Sequence, residues 1–295
     1  MHTRVTSDVT EPSWLPTPGS HRAGIISTVR DGRPGRITFS VMDAHADVVD
    51  EAARVLEGAA AASVVVRPIG GVAVRLHVSG QMHAALARPY ADLDLVAGRK
   101  RARDVTRLLV GLGYEANERF NAMSGGTRLV FYDRANSRHV DVFVGEFRMC
   151  HQVALSDRLG ADPRTVPLAE LLLTKLQVVQ LNEKDLKDIW AIVLEHDIGD
   201  HDDETINGSV IARALSPDWG FWRTASGTVA AARSGLESSG LSPEEQQTID
   251  ARLAALWDRV EQEPKSFRWK SRARIGERSR WYEEPEEIAH GRVEG

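Results

Sequence analysis

The spacing of apolar residues changes character once along this chain, near residue 145, and that change limits the folds open to it. Up to that point two periods alternate. "DAHADVVDEAARVLEGAAAA", from residue 43, puts Val48, Ala52, Val55, Leu56 and Ala59 on one stripe of a helix. "SVVVRPIGG" follows as a β-branched strand ended by Pro68 and the Gly70-Gly71 pair, and "VAVRLHV" reads as a helix start. After a strand at "DLDLV", the stretch "RKRARDVTRLLVGLG" carries Val105, Leu108, Leu109 and Leu112 at helical spacing, with Gly113 as the terminator. "TRLVFYD" and "RHVDVFVG" are two more strands, and "RANS" between them suits a hairpin turn.

Beyond residue 145 only helical patterns appear: "LAELLLTKLQVVQL", "EKDLKDIWAIVLEH", "DETINGSVIARAL" and "PEEQQTIDARLAALWDRVEQE". The order dictates an α/β (α+β) chain, with a mixed sheet flanked by helices followed by a helical half. We place an irregular Pro/Gly-rich arm over residues 1–40, the sheet-bearing domain over 41–160 and the helical domain over 161–262. Residues 263–295 lose apolar periodicity. Their basic residues interleave with Trp269, Trp281 and Tyr282, which predicts a tail or a loosely docked segment.

The length of 295 residues leaves room for this arrangement. No run of about 18 apolar residues is present, and the N-terminus lacks an apolar leader core, so the expected location is the cytoplasm, away from membranes. One cysteine, Cys150, excludes an intramolecular disulfide and a cysteine-based zinc cluster. A net charge of −5 argues against a surface that coats nucleic acid uniformly, but basic residues cluster at 99–107 and 265–280.

Within "RPYADLDLV", Asp92 and Asp94 leave the same face of a strand, because side chains alternate with period two. The alternation in "RHVDVFVG" gives Asp141 the same character. Three carboxylates on neighbouring strands could hold one or two Mg²⁺ ions shared with substrate phosphates, the arrangement of phosphoryl and nucleotidyl transfer. The competing account is a solvated polar strand face. Gly70-Gly71 sits where a strand turns into a helix, a place at which backbone N–H groups can approach a phosphate; a simple turn is the alternative.

The order of "IGGVAVRLH", "RPYADLDLV", "HVDVF", "PLAELLLTKLQ" and "NEKDLKDIWAIV" resembles the nucleotidyltransferase superfamily related to DNA polymerase β, and within it the AbiEii-type nucleotidyltransferase toxins. The resemblance covers roughly residues 65–195. It implies that Gly70 and Gly71 approach the nucleotide phosphates and that Asp92, Asp94 and Asp141 bind Mg²⁺ or Mn²⁺. Asp141 is then also the candidate base, Lys175 faces the triphosphate of the NTP, and Asp185 completes the catalytic set. Val72 and Ala73 depart from the pattern, since many relatives carry a hydroxyl residue after the glycines. Read from the residues alone, Lys175 is a lysine snorkelling from an apolar helix, Asp185 is half of a capping box with Asn182, and Asp188 is a solvated charge near Lys184.

The resemblance further implies transfer of NMP to the 3′ end of tRNA by a toxin that is restrained by a cognate antitoxin. Arg99, Arg103 and Arg107 at helical spacing, with the aromatic and basic C-terminal patch, suit an RNA acceptor. Two alternatives stay open. One is a small-molecule, aminoglycoside-like acceptor, for which Asp197, Asp200, Asp202 and Asp203 could form an acidic pocket. The other is a catalytically silent binding module.

Overall fold

A computed structural model describes residues 43–284. The expected N-terminal arm and the last residues of the C-terminal patch lie outside the described residues.

Helix α1 (Val48–Ala61) begins where Asp47 caps the amides of Val49 and Asp50, and its predicted stripe is buried. Strand β1 (Val66–Ile69) runs directly into α2 (Gly70–His77). Then come β2 (Leu93–Ala97), α3 (Ala102–Gly111), β3 (Glu115–Ala116), α4 (Glu118–Met123), β4 (Arg128–Asp133) and β5 (Arg138–Val144). These strands form one mixed sheet in the order β1-β2-β5-β4-β3. Only the central pair, β2 and β5, is parallel; the other pairings are antiparallel.

A short hairpin, β6 (Glu146–Arg148) and β7 (Gln152–Ala154), leads into the second half. That half holds α5 (Leu168–Leu176), α6 (Glu183–Glu195), β8 (Asp197–Gly199), β9 (Thr205–Asn207), α7 (Gly208–Leu215), α8 (Trp219–Ser234), α9 (Pro243–Gln262) and α10 (Phe267–Ile275). The expected mixed sheet with a mainly helical half after it is what the chain adopts.

Four local readings need correction. "DETIN" is not helical: the Asn207 side chain caps the amide of Val210, so α7 starts at Gly208 and Thr205–Asn207 pairs in parallel with β8. Arg99 lies ahead of α3, so Arg99, Arg103 and Arg107 share no helical stripe. Asp92 precedes β2 instead of lying within it. Part of the C-terminal patch is α10, which packs against α8, and a strap after it is held where the Glu283 amide donates to the Cys150 carbonyl at 3.0 Å.

The core is continuous across both halves. Ile69, Val96 and Phe143 from the sheet side join Leu172, Ile189, Phe221 and Leu253 in one buried cluster. Helix α2 is the bridge, packed on α5 and α6 as well as on the sheet. The amide of Val166, just before α5, donates to the carbonyl of Pro68 in β1 at 3.2 Å.

Candidate active site

Sheet register fixes the two acids. Asp94 on β2 stands directly opposite Asp141 on β5, and parallel pairing sends both side chains to the same face. Ile69, the last residue of β1, stands opposite Asp94 from the other side, so the turn into α2 arrives against the same carboxylate. Gly70 takes φ +71°, and a Cβ there would lie 2.8 Å from an Asp94 carboxylate oxygen. Both the backbone and the contact therefore require glycine. Helix α2 starts at that point with no side-chain cap, so first-turn N–H groups remain for an anion.

Burial, together with the facing Asp141 carboxylate, pushes Asp94 up to about 7, against the pull of Lys175. Asp92 adds a smaller push in the same direction. Asp141 is buried, and Arg128 offsets its charge with Nε and Nη2 both 2.9 Å from Oδ1. The Arg128 guanidinium also lies over the Phe143 ring at 5.0 Å. Asp92 is exposed, with no hydrogen-bond or ion-pair partner among the described residues. Asp94 and Asp141 offer the oxygen ligands a hard divalent cation takes, but with Asp92 they do not gather into a three-ligand cluster in this structure.

Lys175 does not snorkel to solvent. Its Nζ lies 2.7 Å from Asp188 and 3.8 Å from Asp185. Asp188, read from the sequence as a solvated charge, is only 2 % exposed and also accepts both arms of Arg88, at 2.8 and 2.7 Å. Arg88 lies over the Tyr90 ring at 4.5 Å. Gly71 is small for this reason: a Cβ there would fall 2.0 Å from Arg88 Nη2 and 2.9 Å from Tyr90. Asp185 forms the capping box with Asn182, and its other oxygen faces Lys175.

A cleft of about 730 Å³ brings part of the predicted set together: Gly70, Asp94, Lys175 and Asp185 line it. Gly71, Asp92 and Asp141 do not. Phe147, Val178 and Val179 give it an apolar wall, and Tyr282 and Glu284 of the C-terminal strap close one side. Sequence reasoning missed Arg88 and Arg128, and it set Tyr282 in the C-terminal patch rather than in this cleft. Arg88 opens the same "RPYADLDLV" stretch as the acids, but nothing local marks a partner one hundred residues away.

The proposed acidic pocket at residues 197–203 does not form. Asp197, Asp200 and Asp202 pair with Arg252, Arg259 and Arg158, and none of these acids lines the cleft. Among the described residues, the one His/acid group close enough for an ion is His77, His196 and Glu204. Its ring nitrogens are already engaged: His77 meets Thr165 at 2.6 Å and Arg164 at 3.4 Å, and His196 meets the carbonyls of Glu204 and His77, both at 3.1 Å. A cationic Arg164 in that position opposes a metal.

The sequence matches no protein-family model and no curated protein.

Proposed function

We propose that this protein is a metal-dependent nucleotidyltransferase that moves NMP from an NTP to the 3′ end of an RNA, with tRNA as the acceptor. The observation that carries this reading is the Asp94–Asp141 pair, in register on adjacent parallel strands beside the uncapped start of α2, with Lys175 held across the cleft by Asp188. Such a set can bind a triphosphate from three directions: backbone N–H groups at Gly70, a lysine, and carboxylates that share cations with phosphate oxygens.

The ribose hydroxyl would attack the α-phosphorus, forming a new P–O bond as the bond to the β-phosphate oxygen breaks and pyrophosphate leaves. On this reading Asp141, which lies outside the cleft lining and is paired with Arg128, would accept the hydroxyl proton once Arg128 withdraws, and Lys175 would offset charge on the leaving pyrophosphate. Mg²⁺ or Mn²⁺, held by Asp94 and Asp141 with Asp92 nearby, would acidify the hydroxyl and stabilise the leaving oxygen. Action on tRNA places the protein in the cytoplasm, as a toxin whose cognate antitoxin limits it. No helix among the described residues is long and apolar enough to cross a membrane.

A second reading rests on Glu284, which adds a third acid to Asp94 and Asp185 in the cleft wall. Three acids against Lys175 suit a cationic small-molecule acceptor.

The test is to incubate the protein with total bacterial RNA, Mg²⁺ and each α-labelled NTP in turn, beside the double variant Asp92→Ala, Asp94→Ala. Label that enters RNA only with both acids present supports the reading. Mg²⁺ and NTP binding without labelled RNA would favour the small acceptor, and absence of NTP binding would leave the acids a structural role.

A further inference from the structure

We propose that a second cleft, between α8 and the C-terminal segment, is the acceptor-strand site, holding the unpaired 3′-terminal nucleotides of an RNA so that the terminal hydroxyl enters the Asp94 cleft. This rests on the nucleotidyl-transfer reading above, and it names a location and a mode of binding that the catalytic residues do not supply.

The cleft measures about 880 Å³. Four arginines line it, Arg148, Arg268, Arg272 and Arg280, against two acids, Asp218 and Glu283. Both acids and three of the arginines are already engaged, Arg148 with Glu146 and Glu283, Arg272 with the carbonyls of Gly276 and Ser279, and Arg280 with Glu284. Asp218 caps the first turn of α8 through the amides of Gly220 and Phe221, and Glu283 lies 3.2 Å from Arg148. Arg268 is exposed and has no hydrogen-bond or ion-pair partner among the described residues, so its charge is available to a phosphate.

Aromatic rings supply the second half of the chemistry. Trp219 and Trp281 meet edge to face at 6.2 Å, and Tyr282 packs against Trp281 at 5.4 Å. The Trp281 indole N–H donates to Thr224, which fixes that ring. Phe267 is 84 % exposed beside Arg268 at the start of α10, an aromatic face left to solvent at the cleft wall. The faces of Trp219, Trp281 and Tyr282 are covered by Arg272, Arg223 and Arg280, so Phe267 is the ring open to a stacking base and Arg268 the guanidinium open to a phosphate, the two contacts by which single-stranded nucleic acid is gripped without sequence reading.

Continuity with the catalytic cleft separates this ligand from others. Cys150 and Tyr282 line both clefts, and the bond between the Glu283 amide and the Cys150 carbonyl holds the strap that forms the sill between them. An acidic protein segment could also pair with Arg268, but it would gain nothing from a cleft whose lining is shared with that of Asp94 and Lys175. An RNA terminus would.

The experiment uses the full chain and a fluorescein-labelled single-stranded oligoribonucleotide of about twelve nucleotides with a free 3′ hydroxyl, read by fluorescence anisotropy. Mg²⁺·NTP binding is measured in parallel by calorimetry. The Phe267→Ala, Arg268→Glu double variant should weaken RNA binding by about tenfold or more while NTP binding stays unchanged, since both side chains are exposed and lie outside the Asp94 cleft. An Arg103→Glu, Arg107→Glu pair on α3 controls for general charge and should weaken it less. Unchanged RNA affinity in the cleft variant, or no RNA binding by the native protein, would overturn the acceptor site; if NTP still binds, nucleotidyl transfer itself survives. Poly-glutamate binding with the same variant sensitivity and no RNA binding would make the cleft a protein-docking site. Absence of NTP binding by the native protein would sink both readings.

Discussion

Asp94 carries a conflict between stability and chemistry that single substitutions can expose. Its folded-state pKa is raised from 3.8 to about 7 by burial and the facing Asp141, so the folded protein holds a proton there that the unfolded chain has released. Stability from this group is therefore present at low pH and is lost as pH rises through about 7. Asp94→Asn removes the cost of ionisation. In metal-free buffer at pH 8 the variant should be more stable than the native protein by about 1–2 kcal/mol in denaturant unfolding, a gain that vanishes near pH 4, while the proposed nucleotide transfer would fall on the order of a thousandfold. A variant less stable at pH 8 would mean that the two carboxylates do not repel as their register implies. Substitution of Asp188 should act the other way, through lost partners. This acid is the shared partner of Lys175 and both arms of Arg88, so Asp188→Asn should destabilise by about 3 kcal/mol. Adding Lys175→Met to that variant should cost less than Lys175→Met alone, and additive losses in the cycle would show that Asp188 does not hold the lysine.

Between elements, the ends of α2 and α6 are tied by histidines. His77 is driven well below 6.5, to about 3, by burial, with Arg164 and His196 opposing a charge and Asp162 favouring one; Glu204 reaches the group through Arg164 and His196. A neutral His77 fits its bonds, since Nε2–H can donate to the Thr165 hydroxyl, which itself donates to the Val166 carbonyl, while Nδ1 accepts from Arg164. Between about pH 6.5 and 3 the unfolded chain binds the extra proton, so stability should fall on acidification by up to about 1.4 kcal/mol per pH unit from this residue. His77→Gln should flatten that part of the profile, measured by urea unfolding across the window. An unaltered slope would assign the acid sensitivity to other groups. How much of this could be read beforehand depends on range. That Asp94 and Asp141 lie on strands was legible, because those strands were marked by β-branched runs and a period of two gives each acid a face of its own strand, but their opposition in register comes from the parallel pairing of β2 with β5. The α2–α6 tie was not, nor was the grip of Asp188 on Arg88, because both depend on how α6 lies against residues about one hundred positions earlier. Helix α8 escaped notice for a different reason: "WGFWRTASGTVAAARS" mixes large aromatics with Gly, Ala and Thr, and its buried face follows packing against α5, α9 and α10 more than apolar spacing.

At the scale of the whole described structure, the question is whether the sheet half and the helical half fold separately, as a boundary near residue 160 would allow. Packing argues that they do not. Helix α2 leaves the sheet at Gly70, yet its buried Ala73 and Val74 belong to the cluster that also holds Leu172 of α5, Ile192 of α6 and Leu256 of α9. Removing the second half would expose α2 and the inner face of Phe143 and Phe147, an apolar surface that a sheet of five short strands would have to leave in water. It would also leave Arg88 without Asp188. The Asp94 cleft lies on this same seam, with Asp94 from one side and Lys175 from the other, so it exists only when both halves are docked. Residues 43–284 should therefore unfold in one calorimetric transition, with the calorimetric and van't Hoff enthalpies in agreement. A fragment ending at residue 160 should lack the sharp near-ultraviolet dichroism of fixed aromatic packing. Two resolved transitions, or a fragment that gives a native-like spectrum and binds Mg²⁺, would show that the sheet half is autonomous and that Lys175 joins a site already formed.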